Sequence, residues 1–212
     1  MRPRALIFDF NGTLSDDEPI LCGIFQDLFA QAGRPMTERE YFDELAGSSD
    51  PEIVERWLGA PAPEIVSAKV ERYRARVSDG SSVPEQAREA VRVAAEAVPV
   101  AVVSGAFRDE IEPVLAAAGL AGLVSATVTA EDVENGKPDP EGYRRGLELL
   151  GVAGEPAVAF EDSDVGIAAA LAAGLRCVAV LGTMSPERLA RAEAVVPRLD
   201  AEAVRAVLVD RG

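Results

Sequence analysis

From Pro84 onward the chain alternates between two hydrophobic periods, and no other feature narrows its possible fold so far. Helical spacing runs to Ala97, a strand-length apolar run follows from Val98 to Val103, and Ile111, Val114, Leu115 and Ala118 return to helical spacing. The alternation continues with strand Leu123 to Val128, helix Asp139 to Leu150, strand Ala157 to Phe160, helix Asp164 to Ala173 and strand Cys177 to Leu181. Apolar strands separated by helices predict a parallel sheet covered on both faces. Its first strand is expected in RALIFDF, residues 4–10, closed by the turn signal Asn11-Gly12-Thr13.

Between that strand and Pro84 the spacing is helical throughout. Ile20, Leu21, Ile24, Phe25, Leu28 and Phe29 trace a helix from Asp16 to Gly33, and Thr37 with Glu40 forms a capping box for a second. Asp50-Pro51-Glu52 reads as a cap with proline at the first helical position, and Val66, Val70, Tyr73 and Val77 mark a fourth helix before the linker Asp79-Gly80-Ser81-Ser82. The expected fold is α/β: a doubly wound, Rossmann-like parallel-sheet core of residues 1–14 and 84–212, with a helical cap of residues 15–83 inserted after its first strand.

The 212 residues include no histidine, which removes Ser/His/Asp and Cys/His nucleophile pairs and every His-ligated zinc site. Chemistry falls to carboxylates, lysine, hydroxyls or a hard metal. A formal net charge of −15 argues against nucleic-acid and anionic-membrane partners. A small anionic substrate remains compatible if a metal, a local cation and oriented amides hold it. No stretch approaches the ~18 apolar residues of a membrane span, the N-terminus lacks a signal-peptide pattern, and Cys22 and Cys177 lie in apolar runs. A cytoplasmic protein with two reduced cysteines is expected.

Ligands of open α/β sheets bind beyond the carboxyl ends of the strands, and four polar groups fall there. Asp9 ends the first strand, Ser104 follows the second, Lys137 lies in the loop after the third, and Glu161-Asp162 ends the fourth. An aspartate before Asn-Gly-Thr is by itself an ordinary turn; with the other three it points to a site. Lys137 and Lys69 are the only lysines. A compact ammonium before Pro-Asp-Pro suits a tight carboxylate and phosphate site, whereas Lys69, mid-helix, reads as solvated surface. Asp139 reads as a helix cap before Pro140, and Arg108 as a surface residue. Asp16, Asp17 and Glu18 form an acidic first turn from which one residue can face a ligand, and Gly47-Ser48-Ser49-Asp50 is either a specificity loop or a cap and turn.

In order along the chain, LIFDFNGTLSDDEP, VAVVSGA, GKPDPEGY and AFEDSDVGIAAALAAG resemble the four motifs of the haloacid dehalogenase superfamily. The helical insert is similar to the cap of its phosphoglycolate phosphatase and β-phosphoglucomutase branch. The resemblance implies a Mg²⁺-dependent hydrolase, most often a phosphatase, acting on a small phosphorylated metabolite through an aspartyl-phosphate on Asp9. It further implies Mg²⁺ held by Asp9, the backbone carbonyl of Asn11, Asp162 and, directly or through water, Glu161. Ser104 with the amides of Gly105 and Ala106 would cradle phosphoryl oxygens, Lys137 would neutralise Asp9 and the phosphoryl group, Thr13 would shape the loop, and Glu18 would face substrate.

One position departs from the family. Asn11 stands where its phosphatases usually carry an acid/base aspartate, and an amide cannot shuttle a proton at neutral pH. Such a group is typically worth ~10² to 10⁴ in rate. Four explanations stay open: water or Glu18 as the proton source, ligand binding without turnover, a good leaving group such as an acyl phosphate, or an introduced substitution that traps a complex. Dehalogenase, phosphonatase and phosphomutase chemistry fit less well. The region around Glu161-Asp162 is unlike the dehalogenases, Lys69 does not clearly match an imine-forming lysine, and Leu21 stands where the mutases carry histidine.

Overall fold

Residues 1–209 of the chain are described by a computed structural model. The apolar runs become strands because they are buried on both sides. Every residue of β1 (Ala5–Phe8), β2 (Val100–Val103) and β4 (Ala157–Glu161) is buried. With β3 (Ala126–Val128), β5 (Arg176–Val180) and β6 (Ala194–Val196) they form one all-parallel sheet in the order β3-β2-β1-β4-β5-β6.

Four α-helices separate β1 from the helix that leads into β2. They are α1 (Glu18–Gln31), the single turn α2 (Glu38–Glu40), which runs into a π-helical turn Tyr41–Leu45, α3 (Asp50–Leu58) and α4 (Pro63–Val77). Their interior is aromatic: Phe25 stacks on Phe29 and Tyr41, and Phe29 on Trp57. The core helices are α5 (Glu85–Ala97), α6 (Arg108–Ala117), α7 (Glu141–Leu149), α8 (Asp164–Ala172) and α9 (Ala201–Leu208). Helix α5 packs on α9 and α7 on α8. Because the chain winds from β1 toward β3 and then from β4 toward β6, right-handed crossovers put these two helix pairs on opposite faces.

Several elements differ from the sequence-based expectation. Helix α1 starts at Glu18, two residues late, with Pro19 in its first turn. Ser49, not Asp50, caps α3: its N–H and hydroxyl donate to the Glu52 carboxylate at 3.0 and 2.7 Å, which frees Asp50. Helix α7 begins at Glu141, whose N–H donates to Asp139 Oδ1 at 2.9 Å. Lys69 is not solvated surface; it is 1% exposed. It lies three residues after Val66 and four before Tyr73, within the apolar stripe of α4. The pair β6 and α9 went unread because a three-residue edge strand is too short to show a period, although Asp200 gives α9 an ordinary cap by accepting from the Ala203 N–H at 2.9 Å.

Candidate active site

Strand register builds the site. Phe8 of β1 is paired with Phe160 of β4, and the Asp9 N–H donates to the Phe160 carbonyl at 2.9 Å, so Asp9 and Glu161-Asp162 leave the sheet side by side. One carboxylate oxygen from each of the three lies within 4.8 Å of the other two, and all three residues are buried. The chain then turns at Gly12, whose φ of 72° lies in the left-handed region, and a β-carbon there would collide with the Asp162 carboxylate and the Thr183 hydroxyl. Only glycine meets both demands.

Lys137 closes the cluster, donating to Asp9 Oδ1 and Glu161 Oε1 at 2.5 Å each and to the Val103 carbonyl at 3.3 Å. Glu161 is otherwise fully engaged. Tyr143 donates to its Oε1 at 2.7 Å, and the Asp162 and Ser163 N–H groups and the Ser163 hydroxyl donate to Oε2 at 3.2, 3.4 and 3.1 Å. Asp162 accepts from Thr13 at 3.4 Å and from Thr183. Three acids against one ammonium leave the cluster short of positive charge. Burial is the main force that raises Asp9 to about 7, with Lys137 opposing and Glu161 reinforcing it. Burial, then repulsion from Asp9 and Glu161, also raises Asp162. Burial alone would lower Lys137, but the two carboxylates outweigh it and hold the ammonium charged. A buried, all-oxygen donor set with excess negative charge fits a hard divalent cation.

Beside the cluster lies a cavity of about 40 Å³, lined by Asp9, Asn11, Glu18, Ser104, Gly105, Ala106 and Lys137 among others. The structure thus brings together the residues singled out from the strand ends. Two details differ from expectation. The Ala106 N–H is taken by Ser104 Oγ at 3.1 Å, and Ser104 in turn donates to Asn11 Oδ1 at 3.4 Å.

Three contributors were missed in the sequence. Asp17 is fully buried beneath the Asn-Gly-Thr turn, where it accepts from Asn11 Nδ2 at 3.0 Å, from the Gly12 N–H at 3.3 Å and from Tyr73. Asn11 Nδ2 also donates to Tyr73 Oη at 3.4 Å. Thr183, on the loop after β5, steadies Asp162. Tyr73 and Thr183 are distant in sequence from their partners and carry no local signal. Asp17 had one, as an acid in the first-turn cluster, but its inward direction depends on α4. Of that cluster Asp16 is exposed, and Glu18 lines the cavity with its Oε2 accepting from the Tyr41 hydroxyl at 3.0 Å.

Comparison with known proteins gives the same picture along nearly the whole chain. The haloacid dehalogenase-like hydrolase family profile matches residues 6–180. Validoxylamine A 7'-phosphate phosphatase of Streptomyces hygroscopicus subsp. limoneus is 32% identical over 92% of this chain and 94% of its own length. The crystal structure of CbbY from Rhodobacter sphaeroides in complex with phosphate superposes with a TM-score of 0.83 at 30% identity, covering 95% of this chain and 96% of that one. An Asp-to-Asn variant of the same protein, in complex with xylulose 1,5-bisphosphate, matches with the same score, identity and coverage. The β-phosphoglucomutase of Clostridium difficile shares the fold, with a TM-score of 0.82 at 22% identity over 97% of both chains. On the family match and these relatives, the chain belongs to the haloacid dehalogenase-like hydrolases, in their phosphatase and phosphomutase branch.

Proposed function

We propose that the protein is a Mg²⁺-dependent phosphatase of the cytoplasm, acting on a small phosphomonoester, with residues 15–83 serving as a cap over a core of residues 1–14 and 84–212. The observation that carries this reading is the Asp9, Glu161 and Asp162 cluster bridged by Lys137 beside a cavity. The protein's relatives include phosphatases of phosphorylated small molecules. None of the described helices is long and apolar enough to cross a membrane.

In this reading Asp9 attacks phosphorus through a carboxylate oxygen, and the P–O bond to the substrate alcohol breaks as the aspartyl-phosphate forms. The departing oxygen takes a proton from water or Glu18, and water then hydrolyses the aspartyl-phosphate to release phosphate and return Asp9. Asp9, Asp162 and the Asn11 carbonyl would hold Mg²⁺, with Glu161 bound directly or through water. When bound, the ion supplies positive charge that stabilises the phosphoryl oxygens. Lys137 screens the charge between Asp9 and the phosphoryl group, and Ser104 with the Gly105 and Ala106 amides receives its oxygens, the Ala106 N–H exchanging Ser104 Oγ for ligand. Thr13 fixes the loop through Asp162.

Phosphate release from a panel of sugar phosphates, phosphoglycolate, nucleotides and acyl phosphates tests the proposal. Release is expected with Mg²⁺, and none after chelation or in Asp9→Asn. Release that persists in Asp9→Asn would overturn the role of Asp9. Asn11 favours a second reading, in which the protein binds a phosphorylated ligand without turning it over, because its amide is held by Asp17 and Tyr73 and moves no proton. Calorimetric binding of phosphate esters with no release from any would select it.

A further inference from the structure

The cavity beside Asp9 has an acidic wall on the side of the helical insert. Two cations line it among the described residues, Lys137 and Lys69. Lys137 is committed to Asp9 and Glu161 at 2.5 Å each. Lys69 of α4 donates to Asp50 Oδ2 at 2.7 Å and to Glu110 Oε1 at 2.8 Å, and its ammonium stands 5.1 Å from the Tyr73 ring centre. Each ammonium is thus already shared by two carboxylates. Glu18 lines the same wall, and among the described residues only the Tyr41 hydroxyl donates to its carboxylate.

This balance discriminates between leaving groups. A second phosphate, or a carboxylate, would enter beside Glu18 and Asp50 with no unshared cation to meet it, so its charge would go uncompensated in a buried site. An ammonium would meet the Glu18 carboxylate, and a hydroxyl would accept the remaining N–H of Lys69. Burial, reinforced by Asp17, raises Glu18 to about 8, and burial raises Glu110 to about 7 against the pull of Lys69. Without a cation beside it Glu18 therefore keeps its proton at neutral pH; an entering ammonium draws that proton off and pairs with the carboxylate, whereas an entering anion holds the proton in place and meets no unshared cation.

Resting on the phosphatase reading, we propose that the substrate is a phosphomonoester of a hydroxylated amine, its ammonium seated against Glu18, and that esters with a second anionic group are rejected. Two matched probe sets test it. The short set is phosphoethanolamine, glycerol 3-phosphate and phosphoglycolate; the long set is glucosamine 6-phosphate, glucose 6-phosphate and glucose 1,6-bisphosphate. Calorimetric binding to Mg²⁺-loaded Asp9→Asn protein reads recognition without turnover. In the set that binds more tightly, affinity should fall in the order amine, neutral, anionic, with at least about tenfold between the ends. Glu18→Gln should shrink the amine-to-neutral ratio toward one. Equal binding of the three, an anionic ester binding as tightly as the amine, a ratio unmoved in Glu18→Gln, or binding of none overturns the proposal. Ranked binding with no phosphate released from any of the six esters by the unaltered protein overturns the phosphatase reading alone and upholds the recognition.

Discussion

Asn11 and Asp162 show how much a single side chain's partners decide. The Asn11 amide donates into Asp17 at 3.0 Å, so Asn11→Asp would set a half-buried carboxylate face to face with the buried one of Asp17. Such a pair keeps one proton between them well above the ordinary carboxylate range. Turnover is expected to rise by up to ~10² to 10⁴ and to fade at alkaline pH as the pair loses its shared proton. Adding Asp17→Asn should move that loss to lower pH. Rates against pH on one confirmed substrate check this; an unchanged rate means proton transfer is not limiting, and a fall means the site is built for an amide. The metal ligands separate on similar grounds. Glu161 is occupied by Lys137, Tyr143, Ser163 and two N–H groups, whereas among the described residues Asp162 accepts from two hydroxyls, those of Thr13 and Thr183. Asp162→Ala should therefore weaken Mg²⁺ binding more than Glu161→Ala, by roughly tenfold or more. Equal losses in titration calorimetry would show that the two share the ion. Asp9, Lys137 and Glu161-Asp162 were legible in the sequence because strand ends announce themselves. Asp17's role was not, since Tyr73, which helps fix its direction, lies 56 residues away.

Among the elements, α4 carries the largest correction and the clearest stability prediction. Lys69 was legible in principle, since it falls on the stripe of Val66 and Tyr73, but a charge on an apolar stripe needs partners that only the fold supplies. Asp50 comes from α3 and Glu110 from α6, whose Oε2 also accepts the Phe107 N–H at 3.2 Å. Lys69→Met would strand two buried acids, a loss of roughly 3–5 kcal/mol. The pH dependence follows from Glu110, raised by burial from 4.5 to about 7. A folded-state value above the unfolded one means that the fold favours the protonated acid. Its contribution is complete below about 4.5 and is lost as pH rises through about 7. Without Lys69 the ionised acid is costlier still, so the loss in Lys69→Met should widen from pH 5 to pH 8 in urea denaturation. A pH-independent difference would show that only packing was lost.

For the molecule as a whole, what was least legible is how the insert meets the sheet domain, because those contacts join residues far apart in the chain. Arg188, on the loop after β5, donates to Asp164 Oδ2 at 3.0 and 2.9 Å and reaches across to the Phe42 and Asp43 carbonyls at 3.0 and 3.3 Å. Lys69 and Glu110 make a second crossing. At the connections, Ser15 and Ser82 hydroxyls bond at 2.8 Å, and the Asp16 N–H donates to the Ser82 carbonyl at 2.8 Å. Two side-chain crossings and one paired connection are what the proposed cap would need, and on that proposal the cap opens to admit substrate to the small cavity. Arg188→Ala removes a latch that touches neither Asp9 nor the cavity lining. In solution the variant should be more open, with a larger radius of gyration by small-angle scattering and faster amide exchange in residues 41–45. KM should rise several-fold, while kcat changes little or rises if product release limits the unaltered protein. A phosphate mimic such as vanadate with Mg²⁺ should draw both proteins back to one compact form, because ligand contacts then replace the missing latch. Identical scattering of the two proteins, with and without the mimic, would mean that the insert does not move and that substrate enters by another route.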